Sequence, residues 1–279
     1  MILKSFSKIN LSLNINKKIK NSRYHEIQSY FCLVSLYDDI KVKKIKGQKD
    51  EIRFQGKFSK YIKKNSNTII DVLKILRKRN LISSYYSIFI NKRIPVFGGM
   101  GGGTSNAICL VRHFIRNKLS KNLLGVLSKK IGSDSRLFLY KQGFLKNLNT
   151  INNFQIKHNL YFLLVYPNIK CSTRYIYSKV KKFTSKSDFS YKKINAKNKF
   201  IKLLLGENNN LQSIVENKYP NIKRLIVEIS QRKGCYFSRM TGSGSVCYGV
   251  FKSKKSAKAA LNVIKLKYPK YWSWVAKTI

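Results

Sequence analysis

The order of hydrophobic patterns predicts an α+β protein of two domains, and three observations carry that reading. The first third of the chain is rich in strand-type alternation. Helix-period stripes are interleaved with strands in the remainder, and an antiparallel hairpin pattern lies near the C-terminus. The third observation is size: 279 residues with 43% hydrophobic and 13% aromatic content suffice for one large or two ordinary cores.

Taken in order, Ile9 to Ile15 alternates strictly, and Ile40-Lys41-Val42 and Ile52-Arg53-Phe54 read as further strands with one wet face. Thr68 to Leu76 has helical spacing, and Tyr86 to Ile90 reads as a strand. Ile108, Val111 and Phe114 stripe a helix expected to begin at Thr104. Tyr161 to Tyr166, stopped by Pro167, is a buried strand opening the second domain, so the expected division is 1–155 and 156–279. A helix, further helices around Pro220, a hairpin from Cys235 to Phe251, a helix from Ser256 to Leu266 and a strand near Trp272 complete a two-layer sandwich. Lys181 to Lys199 is the most linker-like stretch.

Composition narrows the function classes. Fifty-seven Lys and Arg against 11 Asp and Glu give a formal charge of +46. Such a balance admits a nucleic-acid or membrane partner, but the lysines run from Lys4 to Lys277 without forming one stripe. They accompany abundant Asn and Ile, as A+T-biased coding produces. A solvated basic surface is therefore expected, with no specific nucleic-acid partner. The five cysteines are scattered and include no C-x-x-C pair, which suits a reducing cytoplasm without structural zinc. The start runs directly into a strand pattern without a signal-type segment. The longest uncharged run, Ile94 to Val111, contains Pro95 and many glycines, so no membrane span is expected.

The chemistry concentrates in Gly98-Gly99-Met100-Gly101-Gly102-Gly103-Thr104-Ser105, where five of the 15 glycines fall within six positions between a strand and a helix. Glycine permits positive φ and close ligand approach, and a helix start aims free N–H groups and its dipole at an anion. The alternative is a flexible turn. A P-loop would place Lys where Thr104 stands, and a dinucleotide fold would place an acid about 20 residues on, whereas no acid lies between Asp71 and Asp134. A second glycine loop follows downstream at Thr241-Gly242-Ser243-Gly244-Ser245.

Asp134 is the only carboxylate between Asp71 and Asp188. Placed among cations it should be ionised, as a general base for a hydroxyl must be; by itself it equally suits a helix-capping loop aspartate. In Ser7-Lys8-Ile9-Asn10, Lys8 and Asn10 share one face of the first strand, although Lys8 could also be a surface lysine.

Together, Ser7-Lys8-Ile9-Asn10-Leu11, Tyr24-His25, Ile94-Pro95-Val96, the run from Gly99 to Ala107, Gly132-Ser133-Asp134 and Met240-Thr241-Gly242-Ser243-Gly244 resemble, in this order, the 4-diphosphocytidyl-2-C-methyl-D-erythritol kinases of the GHMP superfamily. The likeness covers essentially the whole chain. It implies a two-domain GHMP kinase fold, an N-terminal α/β domain like that of ribosomal protein S5 followed by a ferredoxin-like sandwich. It also implies ATP with Mg²⁺, phosphorylation of the 2-hydroxyl of the cytidine-diphosphate-linked methylerythritol in the non-mevalonate isoprenoid route, and a cytoplasmic monomer or homodimer. By the same resemblance Lys8 and Asp134 are catalytic, and Pro95, Gly99, Gly101, Gly102, Gly103, Thr104, Ser105, Asn67 and Lys92 bind ATP. Asn10, Tyr24, His25, Thr173, Tyr177, Thr241 and Gly242 bind the acceptor, and Ser105 is the one obvious magnesium ligand. Tyr177 stands where a second stacking aromatic belongs. Ser135-Arg136-Leu137-Phe138 departs from the small apolar residue, Pro and Phe usual after the aspartate; Asn209-Asn210-Leu211-Gln212 lacks both acids of its family counterpart, and Lys146-Asn147-Leu148-Asn149 replaces a glycine-rich turn. Another GHMP kinase of homoserine or mevalonate type, or a basic non-catalytic nucleic-acid-binding protein, are the competing readings.

Overall fold

The computed structural model describes residues 2–22, 24–116, 119–189 and 193–279. The elements begin with β1 (Ile2–Asn10), β2 (Asn14–Lys18), the long β3 (His25–Ile45) and β4 (Glu51–Gln55). Next come α1 (Thr68–Lys78), β5 (Tyr85–Asn91), α2 (Gly102–Ile115), α3 (Lys121–Lys130), β6 (Gln142–Asn147), β7 (Thr150–Asn153) and β8 (Tyr161–Tyr166). The rest is α4 (Thr173–Ser178), α5 (Lys197–Leu205), α6 (Gln212–Lys218), α7 (Pro220–Ser230), β9 (Cys235–Met240), β10 (Cys247–Phe251), α8 (Lys254–Lys267) and β11 (Trp272–Lys277). The α+β class expected from sequence is observed.

The chain forms two compact units that interleave in sequence. Unit 1 holds residues 1–8, 36–96 and 101–139; unit 2 holds residues 9–35, 97–100 and 140–279. The boundary expected at 155/156 falls inside unit 2, because strand pairing there is non-local: Ser29 to Cys32 of β3 pair antiparallel with Leu145 to Gln142 of β6.

In unit 1, Asp39 to Ile45 of β3 pair antiparallel with β5, and β4 lies parallel on the other side of β5. Helix α1 starts where Asn67 accepts hydrogen bonds from Ile69 N and Ile70 N, and it buries Ile69, Val72, Leu73 and Leu76. Helix α2 is buried along Ala107, Ile108, Leu110 and Val111, and also at Thr104, Ser105 and Asn106. It starts at Gly102, two residues before the expected Thr104, because Gly101 enters it in the left-handed conformation at φ +67°.

Unit 2 contains an antiparallel four-stranded sheet in the order β11-β8-β10-β9. Phe162 to Val165 of β8 are fully buried, which explains an uninterrupted apolar strand where a one-faced sheet would alternate. Leu163 and Val165 pack with Ile222, Leu225 and Ile229 of α7 and Ala257, Ala260 and Ile264 of α8. Each large aliphatic side chain so buried contributes roughly 1.5–3 kcal/mol. Pro220 occupies the first turn of α7, and Ser253 and Ser256 make a reciprocal capping box on α8.

Two expectations change. Ile9 to Ile15 is not a single strand with a wet face. It is β1, a break and β2, and every one of its residues is buried. The polar members are accommodated by hydrogen bonds, such as Asn10 Nδ2 donating to Ser29 Oγ at 2.8 Å and Tyr30 N donating to Ser12 Oγ at 3.1 Å. The linker-like stretch is a strap held along β2 and β3, with residues 190–192 outside the described set. Thr184 N donates to Ile15 O, Ser187 N donates to Gln28 Oε1, and Lys186 pairs with Glu26. Among the described residues no helix is long and apolar enough to cross a membrane.

Candidate active site

In unit 1, Lys8 and Asp134 meet. Nζ lies 3.9 Å from Oδ2, with the lysine side chain 7% and the aspartate 30% exposed. Burial pushes the Lys8 ammonium below the ordinary lysine range, and the Asp134 carboxylate opposes that shift. Asp134 follows α3 and opens a 3₁₀ turn through the bond from Leu137 N to its backbone oxygen. Its carboxylate stays turned to Lys8, so the helix-capping alternative is not what the side chain does.

The glycine loop touches this pair directly. A Cβ on Gly101 would lie 2.6 Å from the Phe138 ring and 3.0 Å from Asp134 Oδ2, at a φ of +67°. Only glycine permits that approach. A Cβ on Gly132 would meet Thr104 Oγ1 at 2.9 Å and Asp134 Oδ1 at 3.1 Å. The first intrahelical bond of α2 runs from Ser105 N to Gly101 O at 2.8 Å. Gly102, Gly103 and Thr104 therefore present N–H groups unused within the helix beside the Asp134 carboxylate, an arrangement suited to an anion.

The other expected nucleotide residues have defined places. Asn67 caps α1, and Thr68 Oγ1 donates to Gly103 O at 3.0 Å. Pro95 is buried in the approach to the loop. Lys92 is 2% exposed, ion-paired with Asp38 and bonded to Asn106. Ser105, the expected magnesium ligand, directs its hydroxyl to Phe6 O at 2.6 Å, next to Ser5 Oγ at 2.7 Å. No group of three or more His, Cys, Asp or Glu placed to hold a metal ion occurs among the described residues. The donor set does not make a magnesium cage, so a cation here would depend on nucleotide phosphates for its ligands.

Unit 2 supplies a second group. Thr241, fully buried, accepts from Asn10 N at 3.0 Å. A Cβ on Gly99 would come within 2.2 Å of Thr241 O, while Ser245 N and Val246 N donate to Phe97 O and Gly98 O. Within unit 2, residues 97–99 are thus in backbone contact with the second glycine loop. Gly242 O and Met240 O each accept from Asn209 Nδ2 at 2.8 Å, and Thr173 Oγ1 lies 2.8 Å from Ser243 Oγ.

His25 is 8% exposed, with the Tyr177 ring 5.3 Å and the Phe183 ring 6.5 Å from it by centroid. Its Nδ1 is buried without a hydrogen-bond partner among the described residues. Burial, reinforced by Lys18, lowers the imidazole pKa and keeps the ring neutral near pH 7. Tyr24, beside it, is partly buried and turns its backbone to Ser22 and Ile19. Phe183 went unnoticed in the sequence because it sits among Lys181, Lys182 and Lys186; as a 48% exposed aromatic it is the only large apolar side chain there.

The sequence is similar along its length to proteins named as kinases. A model described as GHMP kinases C terminal matches residues 197–270. A 4-diphosphocytidyl-2-C-methyl-D-erythritol kinase of Pelagibacter ubique (strain HTCC1062) is 38% identical over 99% of this chain and 98% of its own length. One from Wolbachia sp. subsp. Drosophila simulans (strain wRi) is 29% identical over 97% and 96%. Among solved structures, a 4-(cytidine 5'-diphospho)-2C-methyl-D-erythritol kinase matches with a TM-score of 0.76 at 20% identity, covering 99% of both chains. A homoserine kinase from Cytophaga hutchinsonii matches at 0.64 and 15% identity, covering 100% of this chain and 94% of its own. The structural likenesses establish the GHMP kinase fold, and the sequence relatives decide within it: the chain belongs to the 4-diphosphocytidyl-2-C-methyl-D-erythritol kinase family.

Proposed function

We propose that the protein transfers the γ-phosphate of ATP to the 2-hydroxyl of 4-diphosphocytidyl-2-C-methyl-D-erythritol, in the non-mevalonate route to isoprenoid precursors. The observation that supports this best is the Lys8–Asp134 pair under Gly101, a carboxylate and a buried cation at an anion-binding helix start. Asp134 accepts the hydroxyl proton as the new O–P bond forms. The bond between the γ-phosphorus and its bridging oxygen breaks, and ADP leaves. Lys8 faces the Asp134 carboxylate and offsets negative charge on the reacting oxygens. Positioning and electrostatics of this kind supply most of the catalysis in phosphoryl transfer. The N–H groups of Gly102, Gly103 and Thr104 hold phosphate oxygens, with Asn67, Lys92 and Pro95 on the elements that flank them. A magnesium ion accompanying ATP would take its ligands from the phosphates and would supply charge neutralisation there.

His25, Tyr177 and Phe183 receive the cytosine, and Tyr24, Asn10, Thr173, Thr241 and Gly242 complete the acceptor site. A pyrimidine needs a stacking surface and an edge hydrogen bond; the orphan Nδ1 of His25 beside two aromatic rings offers both. The test is ADP release with each acceptor in turn. The cytidine-linked compound should be turned over, with free methylerythritol, homoserine and mevalonate near background. Equal turnover of the cytidine-linked and free methylerythritol would overturn the assignment.

A further inference from the structure

Unit 1 contains a second lysine–aspartate pair with no exposed face. Asp38 is fully buried, and Lys92 is 2% exposed. Asp38 Oδ1 accepts from Arg93 N at 2.7 Å and Ile94 N at 2.9 Å. Its Oδ2 accepts from Lys92 Nζ and, at 3.0 Å, from Asn106 Nδ2. Lys92 Nζ also donates to Asn106 Oδ1 at 2.7 Å. The Asn106 amide continues to Ser5 Oγ at 2.9 Å, and Ser5 Oγ reaches Ser105 Oγ.

Stability alone is a poor reason for this arrangement, since a buried ion pair gains little over well-packed apolar residues of the same size. A phosphate-binding role for the ammonium is equally poor, because it is sealed from solvent and committed to Asp38 and Asn106. What the network joins is informative. Residues 92–94 follow the end of β5 on the way into the glycine loop, and Ser105 and Asn106 lie where the first turn of the helix that leaves it passes into the second. A Cβ on Gly102 would come within 3.0 Å of Ile94 and 3.5 Å of Lys92 Nζ, so the loop's exit rests against the clamped segment.

We infer that Asp38, Lys92 and Asn106 are positioning residues that fix the two stems of the glycine loop, so that the N–H groups of Gly102 to Thr104 stand ready for the ATP phosphates before the nucleotide arrives. The inference rests on the assignment of that loop to ATP. Preorganised donors of this kind strengthen binding by removing the cost of ordering them on contact.

The decisive variant is the neutral pair Asp38→Asn with Lys92→Met, which removes both charges together and leaves no unpaired buried ion. Calorimetric titration of the enzyme alone with ATP should show dissociation weakened about 10-fold, matched by the ATP KM. The acceptor KM and the kcat at saturating ATP should each move less than about 3-fold, with the melting temperature close to the parent's. A folded double variant with unchanged ATP affinity, or a loss confined to kcat, would overturn the inference. Should that variant not fold, Asn106→Ala cuts the bridge to the helix while leaving the ion pair; a weakening of ATP binding by about 3-fold or more supports the clamp, and unchanged binding refutes it. Because ATP titration involves no acceptor, its result is separate from any failure of the acceptor assignment.

Discussion

Two of the lysine–aspartate pairs of unit 1, Lys8–Asp134 and Lys92–Asp38, differ in what their carboxylates have left to offer. Asp38 is fully buried and takes hydrogen bonds from two backbone amides, an ammonium and a carboxamide. Asp134 is 30% exposed, and its cation stands at 3.9 Å, beyond direct hydrogen-bond length. A saturated carboxylate can hold a framework, whereas one with a free oxygen beside a cation can take a proton. On the roles proposed above, the same kind of ion pair would serve two purposes according to how many donors the fold supplies.

The largest effect that would break the comparison lies at Asp134. Asp134→Asn preserves shape and removes the base, so kcat should fall by at least about 10²-fold while ATP affinity stays nearly unchanged. A near-normal rate would remove Asp134 from the chemistry and leave the two pairs alike.

A second prediction uses pH. Lys8 is held below the ordinary lysine range by burial, and its role requires the cation. Activity should therefore decline as pH rises through that lowered pKa, an alkaline limb below about 10.5. Lys8→Arg, whose charge persists, should move the limb upward in whatever activity survives. A profile flat to pH 10.5 would contradict the assignment. His25, also lowered, should give the opposite limb: the acceptor KM should rise only as pH falls through a value below 6.5 and the imidazole charges.

Smaller again is the effect of truncating the aromatic group. Phe183→Ala or Tyr177→Ala should raise the acceptor KM more than it lowers kcat, by about 1–3 kcal/mol for a stacked base. A purely kcat effect would take the ring out of ground-state binding. The smallest concerns surface charge: if +46 is diffuse, turnover should change little with salt while any nucleic-acid retention falls steeply. Tight sequence-selective binding at physiological salt would contradict this.

The glycine loop, Lys8 and Asp134 stand out in the sequence by local chemistry: dense glycine before a helix, lysine and asparagine on one strand face, and an isolated acid. His25 has no such mark and was indicated only by the family resemblance. The α+β order was legible because the apolar run of β8 and the helical spacing of α1 are each complete within their own lengths. What could not be read depends on partners remote in sequence. Asp38 lies 54 positions from Lys92, so nothing near either residue announces a closed pair. Phe183 is hidden in a lysine-rich stretch that looks like a linker until Gln28 and Ile15 hold it down. The burial of both faces from Ile9 to Ile15 required knowing which backbone groups meet Asn10 and Ser12.

The claim that Lys8 and Asp134 form one catalytic unit is tested most directly by a double-mutant cycle on kcat with Asp134→Asn and Lys8→Met. Partners in a single proton-transfer device are strongly non-additive. Each single variant should lose at least about 10²-fold, and the double should be little slower than the slower single. Fully multiplicative losses would show that the two residues act independently and would contradict the unit.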